Sequence, residues 1–136
     1  MKGRVHPSRM ETPGEADPCI LVLERDHPTR ELILATMRDA GLFALGSWPP
    51  AVSPQSVRVV VVDVEEPRAL GVQRLQQLRT QFQRARLLAI SGRFQVPPGT
   101  ANQVAAQMNA DWVLAKPLDF NELLQHARRL LTDALE

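Results

Sequence analysis

The chain has 136 residues, with 16 basic and 15 acidic side chains, a formal net charge of +1 and a single cysteine. That length suffices for one domain with a core of its own, and the near-even charge balance gives no electrostatic basis for nucleic acid or an anionic membrane as the main partner. Cys19 alone excludes an intramolecular disulfide or a cysteine metal cluster, and nothing in the composition calls for an oxidising compartment. Met1-Lys2-Gly3-Arg4 is followed by polar, proline-rich sequence and not by an apolar segment, and no stretch is long enough to span a bilayer, so a cytoplasmic protein is the expectation.

Residues 1–18 carry Pro7, Pro13, Gly14 and Pro18 among charges with no apolar period and read as a flexible tail, leaving 19–136 as the folded domain. Ile20-Leu21-Val22-Leu23 is a short apolar run closed by Glu24-Arg25-Asp26 and predicts a buried first strand. Pro28 suits a first helical turn, Leu32, Ile33 and Met37 recur on one face, and Gly41 stops the helix. Leu42 to Leu45 is a weak second strand. Pro49, Pro50 and Pro54 then leave room for a helical turn at most, so a second helix is short or missing.

Val57-Arg58-Val59-Val60-Val61-Val62 is β-branched and apolar on both faces, the pattern of a central parallel strand covered by helices on either side. It ends on Asp63, followed by the turn-prone Val64-Glu65-Glu66-Pro67. Val72, Leu75, Leu78 and Phe82 mark an amphipathic helix, and Leu87 to Ile90 a fourth strand ending in Ser91-Gly92. Thr100 with Gln103 forms a capping-box pattern opening a helix with Val104, Ala105 and Met108 inward. Trp112 to Ala115 is a short fifth strand running into Lys116-Pro117, and Asp119 with Glu122 opens a last helix striped by Phe120, Leu123, Leu124, Ala127, Leu130 and Leu131.

Strands alternating with helices predict an α/β fold, a doubly wound five-stranded parallel sheet in three layers. Such sheets carry their sites at the carboxyl edge of the strands, and four polar elements converge there: Glu24-Arg25, Asp63, Ser91 and Lys116. Each alone is ordinary at a strand end. Together they make a constellation.

From Cys19 to the C-terminus the chain resembles the receiver domain of bacterial two-component response regulators, a flavodoxin-like fold. The resemblance lies in Ile20 to Arg25 with Arg30, in Asp63-Val64-Glu65-Glu66-Pro67 with Gly71, in Ser91-Gly92, and in Ala110-Asp111 through Lys116-Pro117. It implies that Asp63 is the phosphoacceptor, forming an acyl phosphate. Lys116 would pair with that carboxylate and then with the phosphoryl group, Ser91 would donate to a phosphoryl oxygen, and Gly92 would leave the approach open.

Two departures accompany the resemblance. The family holds magnesium with two adjacent acids after the first strand together with the phosphorylated aspartate; here Glu24 and Asp63 remain, and Arg25 stands in place of the second acid. A cation there opposes magnesium. Arg25 would either swing into solvent or form a bidentate pair with Asp63, and Asp26 would supply a carboxylate one residue late. The second departure is Val113, where the family often has an aromatic residue three positions before the lysine; Trp112 beside it points to the opposite face.

The resemblance implies a histidine kinase or phosphotransfer protein as phosphodonor, a downstream protein target, and pairing or docking through the last two helices and the fifth strand, Thr100 to Leu135. No catalysis is expected beyond phosphorylation and dephosphorylation of Asp63. No output domain follows Glu136, so the expectation is a stand-alone receiver or a fragment of a longer regulator. The alternative is a degenerate receiver acting as a phosphorylation-independent interaction module, supported by Arg25 and Val113. A phosphatase of the haloacid dehalogenase type fits less well, because residue 65 is Glu where a second Asp is expected, the nucleophile is not on the first strand, and no later acidic pair binds metal. His6, His27 and His126 read as surface histidines, Arg84, Arg86, Arg128 and Arg129 as solvated faces, and Trp48 as an exposed contact or a lid.

Overall fold

Alternation along the central strands divides the interior into two cores. In the computed structural model of the chain, which describes residues 18–47, 52–65 and 69–135, β1 (Cys19–Leu23) sends Cys19 and Leu21 to one face and Ile20 and Val22 to the other. β3 (Val57–Asp63) does the same with Val60 and Val62 against Val59 and Val61, and all four valines are fully buried. A side chain on either face of these strands therefore needs a helix to cover it.

α1 (His27–Asp39) and α4 (Phe120–Leu135) cover one face through Ile33, Leu34, Met37, Leu123, Ala127 and Leu130. α2 (Ala69–Gln81) and α3 (Ala101–Met108) cover the other through Leu75, Leu78, Ala105 and Met108, with Phe82 just beyond the end of α2. The buried stripe of α1 is thus Ile33, Leu34 and Met37. Leu32, expected inside, is 56% exposed because it lies on the far side of the helix.

β2 (Ala44–Leu45), β4 (Arg86–Ser91) and β5 (Trp112–Ala115) complete a parallel sheet in the order β2-β1-β3-β4-β5. β2 is shorter than the expected Leu42 to Leu45, pairing with β1 only at Ala44 and Leu45. Among the described residues between β2 and β3 there is one 3-10 turn, Pro54–Ser56, while Pro49 and Pro50 lie outside the described residues. The register shifts between Cys19 and Ile20, so that Arg58 is an extra residue in β3; its guanidinium donates to Gln55 O (3.1 Å) and Ala134 O (3.4 Å).

The sheet's chain order reverses between β1 and β3. The site is positioned by that reversal, because the crevice outside the carboxyl ends of the strands opens there. Of the sequence expectations, the tail through residue 17, Trp48 and Pro67 lie outside the described residues.

Candidate functional site

Glu24 leaves the end of β1 and stays inside, its side chain only 1% exposed. The local sequence holds it there. Its Oε2 accepts the Asp26 amide (3.0 Å), and its carbonyl accepts Arg30 Nη1 (2.9 Å) from the first turn of α1. Asp26 in turn caps α1, its carboxylate accepting Thr29 N (3.0 Å) and Thr29 Oγ1 (2.5 Å), and these bonds hold the Asp26 carboxyl below its ordinary range.

Asp63 is the last residue of β3, with a side chain 11% exposed. Lys116 follows β5 and is held by its amide, which donates to Ser91 O (3.0 Å); its peptide bond to Pro117 is cis. Its Nζ lies 2.7 Å from Glu24 Oε1 and 3.1 Å from Asp63 Oδ1. The approach to Glu24 is an ion pair outside hydrogen-bonding geometry, so this buried oxygen has the ammonium as its compensation and no hydrogen bond. Desolvation lowers the Lys116 pKa, but contact with Glu24 and then with Asp63 more than offsets it and holds the ammonium above the ordinary lysine value. Three of the four predicted strand-end elements therefore meet in one triad.

Ser91 is at the same edge but outside the triad. It is buried, and its Oγ accepts the Arg93 amide (3.0 Å); among the described residues it makes no hydrogen bond to Glu24, Asp63 or Lys116. A Cβ at Gly92 would meet nothing within 4 Å, so the space above it is open with or without glycine. Val113 is buried in the core beneath α2 and α3, while Trp112 packs on the opposite face, as alternation predicted.

The bidentate pair between Arg25 and Asp63 does not form. Arg25 is 68% exposed and pairs with Glu65 on the loop after β3, so the guanidinium spans the two loops that flank the site. Glu65 is the neighbour of Arg25 that sequence reasoning missed, though an acid two residues past Asp63 and a base after β1 are a legible signal. A cavity of about 510 Å³ opens here, lined among others by Glu24, Arg25, Arg30, Asp63, Glu65 and Arg74.

No protein-family model matches the chain, and no curated protein is recovered as a relative. Among solved structures it is similar to a response regulator from Thermotoga maritima, with a TM-score of 0.65 at 14% identity over 85% of this chain and 98% of that one. A Francisella response regulator receiver domain superposes with a TM-score of 0.63 at 19% identity, covering 86% of this chain and 98% of that one. The chain has the receiver fold. The chemotaxis protein CheY4 of Vibrio cholerae agrees, with a TM-score of 0.61 at 19% identity over 85% of this chain and 99% of that one.

The receiver fold implies magnesium, and the donor set here does not fit it. Among the described residues no three Asp, Glu, His or Cys side chains gather as a metal site. Glu24 and Asp63 share one ammonium, the Asp26 carboxylate is spent on the N-terminus of α1, and Arg25 holds the second acidic position. Magnesium prefers near-octahedral oxygen ligands, mostly carboxylate and water. Two carboxylates tied to an ammonium beside a guanidinium are a poor match.

One further expectation is corrected. Thr100 gives no side-chain cap to α3; its hydroxyl donates to Pro97 O (2.6 Å) instead. His126 is half-buried at the surface of α4, where its ring stacks on Trp112 at 4.7 Å and Arg129 lies over the same indole at 4.9 Å. Arg86, exposed as expected, approaches Asp111 at 3.8 Å, and Arg128 donates to Ala40 O (3.3 Å).

Proposed function

We propose that the chain is a receiver module in which Asp63 accepts a phosphoryl group from a phosphohistidine on a histidine kinase or phosphotransfer protein. The signal then passes to a downstream protein through altered surface contacts. The observation that carries this reading is the Lys116 ammonium, 3.1 Å from Asp63 Oδ1 and 2.7 Å from Glu24 Oε1 at the carboxyl edge of the sheet.

Phosphoryl transfer asks for an in-line nucleophile and positive charge near the equatorial oxygens. Asp63 supplies the nucleophile, and the P–N bond of the donor breaks as the O–P bond forms. Lys116 is a point charge able to exchange a carboxylate for a phosphoryl oxygen. Ser91 Oγ accepts the Arg93 amide, which leaves its O–H available to donate to a phosphoryl oxygen once its loop shifts toward the group. Phosphorylation and hydrolysis of its own aspartyl phosphate would be the chain's whole chemistry.

The experiment is intact-mass detection of an adduct after incubation with phosphoramidate. A phosphoryl adduct absent from Asp63→Asn supports the reading; an adduct retained in that variant contradicts it. A second reading, an interaction module that is never phosphorylated, is favoured by the buried Val113 in the family's aromatic position. It predicts no adduct in folded protein.

A further inference from the structure

The cleft over Asp63 holds an unusual charge set. Among the described residues its lining supplies three carboxylates, Glu24, Asp63 and Glu65, against three guanidiniums, Arg25, Arg30 and Arg74, and the Lys116 ammonium pairs with two of those carboxylates. A site that attracts a divalent cation carries an excess of carboxylates, and this lining has none. The positive groups also differ in how firmly they are held. Arg30 is anchored on Glu24 O and lies beside His27 Nδ1, and Lys116 is committed to two carboxylates. Arg25 makes one exposed contact, to Glu65, and exposed ion pairs are weak enough to exchange.

We propose that Arg25 takes the place of the divalent cation: its guanidinium leaves Glu65 and bears on the oxygens of the phosphoryl group carried by Asp63, so that phosphorylation proceeds without magnesium. This rests on Asp63 being the phosphoacceptor. Guanidinium geometry suits the task, since its planar fork donates two parallel N–H bonds to a tetrahedral oxyanion. In the step itself, an Asp63 Oδ attacks phosphorus, the O–P bond forms, the P–N bond of phosphoramidate breaks, and the nitrogen departs as ammonia. Arg25 offsets the charge gathered on the equatorial oxygens, the role otherwise given to a metal. The released Glu65 carboxylate turns to solvent, which couples the loops after β1 and β3 to the state of Asp63.

The test follows the rate of adduct formation by intact mass on the full chain with phosphoramidate, in excess chelator and in excess magnesium, for wild type, Arg25→Ala, Arg25→Asp and Asp63→Asn. The expected result is a wild-type rate that agrees within about twofold between the two conditions, and an Arg25→Ala rate at least about tenfold lower in chelator. Arg25→Asp, which restores the second acid, should become magnesium-dependent by at least about tenfold. Arg25 is exposed, so thermal melts of both variants should overlay that of wild type. An adduct in wild type that forms only with magnesium overturns this inference while sustaining the phosphoacceptor reading. So does a metal-free rate that Arg25→Ala leaves unchanged. No adduct in either condition, in folded protein, overturns the phosphoacceptor reading and this inference with it.

Discussion

Lys116 is the residue on which the site's electrostatics turn. It is the common partner of two carboxylates, one of them fully buried, and removing it leaves Glu24 Oε1 with neither an ion pair nor a hydrogen bond. Breaking a buried pair costs about 3–5 kcal/mol; with the Lys116 side chain 25% exposed, Lys116→Met should cost roughly 1–3 kcal/mol in urea unfolding. The pH dependence has a definite sign. The folded-state pKa of Lys116 lies above 10.5, so its contribution is fully present below pH 10.5 and is lost as pH rises through the raised value. Wild type should therefore converge on Lys116→Met in alkaline melts; a gap that stays constant there would contradict the pairing. Asp63 and Lys116 were legible in the sequence because a strand delivers each to the same edge. The exposure of Arg25 was one of the two outcomes the sequence offered, but its pairing with Glu65 was not legible, since that contact depends on how two separate loops approach each other. Nor was the hydroxyl of Ser91, whose acceptor role toward the Arg93 amide depends on one side-chain rotation.

At the scale of elements, the two capping patterns in the sequence looked alike and behave differently. Asp119 Oδ1 accepts the amides of Asn121 (3.0 Å) and Glu122 (3.1 Å), whereas Thr100 turns its hydroxyl to Pro97 O. Asp119→Ala should cost about 1 kcal/mol and Thr100→Ala well under half of that, measured by urea midpoints. The pattern of residue types was the same; the backbone at Thr100, with ψ near 4° and not extended, denies its side chain the amides of α3. α4 carries a pH-dependent contact of its own. Burial, and then Arg129, push the His126 pKa below the ordinary histidine value, so the stacked ring favours its neutral form. That stability is present above pH 6.5 and lost as pH falls through the lowered value. His126→Phe keeps a ring against Trp112 without a titration, so the change in urea midpoint between about pH 7.5 and about pH 5.5 should shrink in the variant. An undiminished change would place the effect elsewhere.

For the whole molecule, the fold was legible because its central strands are apolar on both faces. Val59 to Val62 admit no solvated side, and the alternating helices supply the two covers. The order of strands was not contained in that periodicity and is read from the structure. Leu88, fully buried in the core beneath α1 and α4, tests the packing: Leu88→Ala should cost about 3 kcal/mol by urea denaturation. Against a total of about 5–15 kcal/mol for a domain, that is a large share. Function at this scale comes from the sheet's reversal between β1 and β3, which brings Glu24, Asp63 and, from the far strand, Lys116 to one crevice. The most direct measurement on that arrangement is chemical trapping of the acyl phosphate. Phosphoramidate-treated protein is reduced with borohydride, which converts an aspartyl phosphate to homoserine, and the modified residue is located by peptide mass spectrometry. The account predicts homoserine at position 63 and at no other acid; a product at Glu24 or Glu65, or none in folded protein, would contradict it.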